Sequence, residues 1–168
     1  MSAELTQLTD YGNELVTTLR ERIKSFPATR FGPVNASGNL AASLRADVSE
    51  TPTGYRLTLY AASYALALEY GRKPGKFPNL EAIKQWIEDK GIVPRPDANG
   101  RTVSTKSLAY LIGRKIQNQG TTIYQAGTPS KLFGAIISPE NVTAAVTARV
   151  IPLLLQQVAS ELREAIAV

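Results

Sequence analysis

Between Tyr64 and Pro78 the chain sets one carboxylate, Glu69, at the end of an apolar run and follows it with Arg72, Lys73 and Lys76 among Gly71, Pro74 and Gly75. A carboxylate and a guanidinium three residues apart can pair at a helix end, or the two can face a second subunit. Cations in a glycine turn can also cradle phosphate, but that needs a strand before the turn and a helix opening directly after its last glycine. Here Lys76-Phe77-Pro78 intervenes, which argues against phosphate. Gly71 and Gly75 are expected to take positive φ around Pro74 and form a turn. Glu69, Gly71, Arg72, Lys73, Pro74, Gly75 and Lys76 are therefore candidates for a contact surface toward another subunit or a partner. Arg114 and Lys115, with Lys106 a little over two turns earlier, could form a basic stripe toward DNA or an acidic ring surface, but a solvated helix face is the favoured reading.

Other chemistries have few residues to draw on. Cysteine and histidine are both absent, which excludes thiol nucleophiles, disulfides, Cys/His zinc sites and His-based triads. The carboxylates Asp47, Glu50, Glu69, Glu81, Glu88, Asp89, Asp97 and Glu140 are scattered, without the spacing of an oxygen-ligand metal loop. No cofactor or metal is expected, and the chain reads as a binding or structural protein, not an enzyme.

The formal charge of +5 is uneven: Arg72 to Lys131 holds eleven Lys and Arg against four Asp and Glu, the remainder eight against ten. Such a field can recruit nucleic acid or an acidic protein surface. The basic residues are dispersed, however, and no run of five occurs, which fits a solvated exterior. Tyr55, Tyr60, Tyr64 and Tyr70 could stack on bases, but strand packing explains them as readily.

These residues must be positioned by a folded body. A chain of 168 residues with 43% apolar and 20% charged residues can bury about 70% of its unfolded surface and is expected to form one domain, 1–168. No uninterrupted apolar run reaches the roughly 18 residues of a membrane span, and the start lacks a secretion signal, so a cytosolic, membrane-free life is expected.

Leu5, Leu8, Tyr11, Leu15, Leu19 and Ile23 predict an amphipathic helix from Ala3 to about Ser25. The Pro27 to Gly38 stretch reads as an exposed, adaptable connection. A short helical turn from Leu40 leads into Leu44, Ala46 and Val48, which alternate with Arg45, Asp47 and Ser49 as a half-buried strand. Across the turn Glu50 to Gly54, Tyr55, Leu57, Leu59 and Ala61 alternate as its hairpin partner, with Leu59 structural. A lone hairpin is marginal; Thr121–Gln125 and Leu132–Ile137 are the candidate further strands.

Leu80, Ile83, Trp86 and Ile87 predict a helix from Asn79 to Lys90, capped by Asn79 and stopped by Gly91. Trp86 reads as a core anchor and Tyr64 as structural. Pro94, Pro96 and Asn99-Gly100 mark an excursion. Ser104 or Thr105 then caps a helix with Leu108, Leu111, Ile112 and Ile116, where Ala109 and Gly113 allow a neighbouring backbone to come close. From Ser138 to Ala167 one broad stripe of Val142, Ala145, Val146, Val150, Leu153, Leu154, Val158, Leu162 and Ile166 predicts the longest helix, kinked or broken near Val150 by Pro152. The fold class is α+β: a small antiparallel, hairpin-based sheet packed against several helices, with N-terminal and long C-terminal helices.

Four segments occur in one order: Ala36-Ser-Gly-Asn-Leu-Ala-Ala-Ser-Leu44; Tyr64-Ala-Leu-Ala-Leu-Glu-Tyr-Gly-Arg72; Ile83-Lys-Gln-Trp-Ile-Glu-Asp-Lys-Gly-Ile92; and Ala109-Tyr-Leu-Ile-Gly-Arg-Lys-Ile116. Together they resemble the tail-completion, or head-to-tail joining, proteins of long-tailed bacteriophages, over roughly residues 36 to 125. The resemblance implies a small α+β subunit that assembles into a ring at the virion neck, commonly of six copies. Such a ring meets connector or stopper proteins on one side and the tail tube or its terminator on the other, and leaves an axial passage through which DNA runs only transiently. The Gly120 to Ser138 excursion and the proline-containing last helix depart from that pattern, so a tail terminator or another neck ring is also consistent. A small basic nucleic-acid-binding module is the reading from a different class.

Overall fold

The computed structural model of the chain describes residues 2–27, 34–35, 37–96 and 100–166. Most of the expected connection after Pro27, with Ala36 of the first motif and the Asn99 of the Asn99-Gly100 turn, lies outside the described residues. The elements are α1 (Ala3–Ser25), α2 (Asn39–Ser43), β1 (Arg45–Thr51), β2 (Gly54–Tyr60), α3 (Ala65–Tyr70), α4 (Leu80–Asp89), α5 (Thr105–Gln119), α6 (Thr122–Ala126) and α7 (Pro139–Ile166). The fold is α+β, one antiparallel hairpin with helices on either side of it in sequence and a long helix at each end. It forms two compact units, 1–21 with 43–61 and 133–168, and 22–42 with 62–132.

In the first unit, Leu8, Tyr11, Leu15, Val16 and Leu19 of α1 are buried, as the three-and-four spacing of apolar residues requires. The helix crosses the hairpin at Gly12, where a Cβ would lie 3.0 Å from both the Ala46 Cβ and Leu57 Cδ1. The hairpin register runs from Arg45 opposite Tyr60 to Thr51 opposite Gly54. Alternation is clean in β1, where Ala46 and Val48 are half-buried between exposed neighbours. In β2 it blurs: Leu57, Thr58 and Leu59 are all half-buried, and Ala61 lies exposed beyond the strand. Arg45 spreads its guanidinium 3.8 Å above the Tyr60 ring, so Tyr60 is engaged in a cross-strand pair.

The last helix begins as its sequence demands. The Ser138 hydroxyl accepts the Asn141 N–H at 3.3 Å, Pro139 occupies the first helical position, and Glu140 is held below its ordinary value, mainly by a backbone N–H and also by the Ser138 hydroxyl. Of the kink or break expected near Val150, the break does not occur: α7 runs continuously through Pro152. Arg149 grips Glu14 of α1 with both guanidinium nitrogens, at 3.2 and 2.6 Å, and lies 5.0 Å from the Tyr11 ring centre. Leu8 and Leu15 of α1, Leu57 and Leu59 of β2 and Val142, Val146 and Val150 of α7, with Tyr55, line an apolar cleft of 490 Å³.

The second unit is built on α4 and α5. Ile83, Ile87 and Ala109 are buried together, with Leu80, Trp86, Ile92, Leu108 and Ile112 packed around them. Asn79 caps α4 through its side chain, which accepts the Ala82 N–H at 3.1 Å. At the other end the Gly91 amide donates to the Glu88 carbonyl and the Ile92 amide to that of Ile87, with Gly91 at φ 61°: a Schellman motif. Ser104 caps α5.

Two further strands were expected, and neither forms. Thr122–Ala126 is a short helix closed by Gly127 at φ 64°. Residues 132–137 fold into turns in which the Phe133 carbonyl accepts the amides of both Ile136 and Ile137. Short apolar, β-branched runs do not distinguish a strand from a turn of helix by pattern alone. Here hydrogen bonds within the chain decided: Gln125 donates its N–H to the Thr121 carbonyl and its side-chain amide to that of Gly120.

Candidate functional site

The Gly71 to Pro78 segment is an exposed turn clamped at both ends. α3 stops because Gly71 turns to φ 75°, a conformation that strains any residue with a Cβ. A side chain there would also overlap the Tyr124 amide nitrogen. The next residue is locked reciprocally: the Arg72 amide donates to Thr121 Oγ1 at 2.8 Å and the Thr121 amide to the Arg72 carbonyl at 2.9 Å. Gly75, at φ 130°, donates its amide to the Gln117 carbonyl at 2.8 Å, which pins the tip of the turn to the last turn of α5. The expected positive-φ turn around Pro74 is present.

Phe77 seats the segment on α5. A Cβ at Gly113 would come within 2.5 Å of Phe77 Cζ, so the position that was expected to admit a neighbouring backbone admits an aromatic ring. Phe77 and Tyr110 have ring centres 5.8 Å apart. Pro78 is buried and hands the chain to the Asn79 cap of α4.

On this frame Lys73, Pro74, Gly75 and Lys76 are exposed and Arg72 is half-buried. The expected Glu69–Arg72 pair is not made. Arg72 Nη2 donates to the Lys76 carbonyl at 2.9 Å and so braces the turn from within. Glu69 is only 3% exposed, accepts the Ser130 hydroxyl at 3.2 Å, and through its carbonyl accepts the Ser130 amide at 2.7 Å. A carboxylate so enclosed holds the 130 segment to α3 and is a support of the turn, not a contact residue.

Arg114 and Lys115 are both exposed on α5. At 100° per residue, Arg114 lies within a narrow arc of Tyr110 and Gln117, the positions that meet the turn, and Lys106 falls on the same side. Lys115 is about 140° round from Tyr110 and does not join them. Arg72, Lys73 and Lys76 are thus the cations of the turn, and Arg114 and Lys106 are exposed on the side of α5 that carries it. Trp86 is half-buried and packs against the α4–α5 core. Tyr64 lies just before α3 with its ring partly exposed; burial first, and the Asp89 carboxylate second, push its phenol up. Leu59 lines the cleft of the first unit.

Comparison with protein-family models, with curated proteins and with solved structures finds no match to this chain. The two units differ in charge: residues 22–42 and 62–132 hold fourteen Lys and Arg against five Asp and Glu, the remaining segments five against nine. The second unit is strongly basic and the first acidic. Sequence reading missed Gln117, Thr121 and Ser130, which hold the turn. The Gly120-Thr121 step after α5 was the available signal, and it was read as the start of a strand.

Proposed function

We propose that this chain is a structural subunit of a tailed-phage neck, a ring that joins the connector or stopper to the tail and leaves an axial passage for DNA. The single observation that supports it best is the Gly71–Pro78 turn: exposed, cationic, and fixed by three hydrogen bonds to the Gln117–Thr121 segment, two between backbones and one from the Arg72 amide to the Thr121 hydroxyl. A surface ordered before it meets its partner loses little conformational entropy on docking. Its chemistry is that of recognition, positive charge and N–H donors offered to an acidic protein surface. The motif order from Ser37 to Ile116 supplies the resemblance to neck proteins.

The test is Lys73→Glu with Lys76→Glu. Both side chains are exposed, whereas Arg72 braces the turn, so these two reverse the charge without unmaking the fold. The expected result is folded protein, complete capsids and complete tails that fail to join. Unchanged yield of joined particles would refute the role of this turn.

A further inference from the structure

Within the first unit, α7 changes character at Pro152. Before it, Val142, Val146 and Val150 are half-buried and line the apolar cleft with α1 and β2. Beyond it, from Leu154 to Arg163, every side chain is exposed, Leu154 to 43%, Val158 to 52% and Leu162 to 57%. Most of a helix's stability in a folded protein comes from packing its apolar face, and from Leu154 to Arg163 none of that face is buried.

The apolar residues on the two sides mirror one another. Val150 and Leu154 lie two residues either side of Pro152, Val146 and Val158 six, and Val142 and Leu162 ten. Both triplets have the four-residue step that keeps side chains along one face of a helix. Folding α7 back on itself at Pro152 brings the triplets into register pair by pair, over about 12 Å of each half. Ile151, Pro152 and Leu153 are left as the connection, within the roughly two to five residues of an αα-hairpin loop.

Pro152 is also where the helix opens most easily. It has no N–H to give to the Ala148 carbonyl, so the straight helix already lacks one bond there, and prolines are the usual site of sharp kinks. The Arg149–Glu14 pair, at 2.6 Å, anchors the half before the proline to α1, so the half after it is the one that swings.

We infer that the Leu154–Ile166 half of α7 is a strap that folds back at Pro152 and closes the 490 Å³ cleft in the isolated chain, setting Leu154, Val158 and Leu162 against Val150, Val146 and Val142. Closure takes apolar surface of both the strap and the cleft out of water. Gln156, Ser160 and Arg163 fall on the opposite side of this half and stay in solvent. The straight helix is the open form. This device stands on α7 and the cleft alone and does not rest on the neck reading. A bilayer is the competing cover, since Pro139–Arg163 has the length of a span and a mean hydropathy of 1.4.

The chain contains no cysteine, so a pair of spin labels reads the hinge cleanly. Thr143 and Glu161 are exposed, nine residues either side of Pro152, and replacing them touches neither triplet. Labels on Thr143→Cys with Glu161→Cys lie about 27 Å apart along a straight helix. In the closed form they ride on neighbouring helices with axes about 10 Å apart, so pulsed electron resonance of the dilute full-length protein should show a population below about 20 Å. Val158→Glu with Leu162→Glu, at exposed sites, should reduce that population at least fivefold while leaving the helical circular dichroism unchanged. Pro152→Ala, which restores the missing bond, should move the balance toward the long distance. The long distance alone in the labelled protein would overturn the proposal, and so would a short population undiminished by the two glutamates. A short distance that disappears on dilution with unlabelled protein would overturn it in favour of contact between two copies. A long distance in protein that floats with phosphatidylcholine vesicles would overturn it in favour of a bilayer.

Discussion

Arg149 and Glu14 form a two-armed ion pair, Nη1 to Oε1 at 3.2 Å and Nη2 to Oε2 at 2.6 Å, that ties the middle of α7 to the middle of α1. A guanidinium held by both nitrogens fixes orientation as well as distance. It therefore sets the rotation of α7, which turns Val142, Val146 and Val150 toward the cleft lined by α1 and β2.

That pair makes a pH prediction. The Arg149 hydrogen bonds hold the Glu14 carboxyl below its ordinary value of 4.5. A depressed carboxylate contributes stability that is present above its unfolded pKa and lost as pH falls through the folded one. Amide exchange in α7 should accelerate as pH drops below about 4.5, after correction for intrinsic rates. Glu140, lowered by its backbone and Ser138 contacts, adds to the same trend at the start of the helix. Glu14→Gln should flatten the part of the profile in the middle of α7. An identical profile in Glu14→Gln would show that the pair does not hold the helix.

Gly71 and Gly75 both have positive φ, but only Gly71 is enclosed. Gly71→Ala should cost more than about 2 kcal/mol, through strain and overlap with Tyr124. Gly75→Ala has open space around it and should cost about 1 kcal/mol from backbone strain. Trp86 is the one tryptophan, so its fluorescence during urea unfolding reports the α4–α5 unit that carries the turn. Equal losses for the two variants would contradict the clamped geometry.

Ser130→Ala removes the hydroxyl that reaches Glu69, and Glu69→Ala removes a buried carboxylate. The first should lower stability by about 1 kcal/mol and the second by about 2 to 3 kcal/mol. Both should act on folding, with assembly of the folded fraction intact. A fully stable Glu69→Ala protein that fails to assemble would restore Glu69 as a contact residue.

Elements with explicit boundary chemistry could be read from the residues. Asn79 and Gly91 delimit α4, Ser104 and Gly120 delimit α5, and Ser138-Pro139 opens α7, because caps act locally and need no tertiary partner. Alternation in 44–48 and 55–59 predicted the hairpin for the same reason. The Gly71–Gly75 turn was also legible, since positive φ leaves glycine as its mark. What was not legible depended on contacts far along the chain. Thr121 reads as a strand residue until its amide meets the Arg72 carbonyl, and Glu69 reads as a surface acid until Ser130 covers it. The residues from Val142 to Ile166 read as one broad apolar stripe of the longest helix. Along the unbroken α7 they divide by exposure instead: Val142, Val146, Val150 and Leu153 are half-buried, whereas Leu154, Val158, Leu162 and Ile166 are exposed.

Nucleic-acid binding makes a prediction of its own, carried by the fourteen cations of the second unit. A chain that only lets DNA pass should bind duplex weakly, and affinity should fall steeply with salt without sequence or structure preference. Selective binding that survives 200 mM salt would move the account to a nucleic-acid module.

The most direct test of the ring account is the native mass of the purified protein, alone and after mixing with tail-less heads. The account predicts a single closed oligomer of 18.2 kDa subunits, six by the neck resemblance, that adds to heads and makes them competent to accept tails. A monomer at every concentration that joins neither heads nor tails would contradict it.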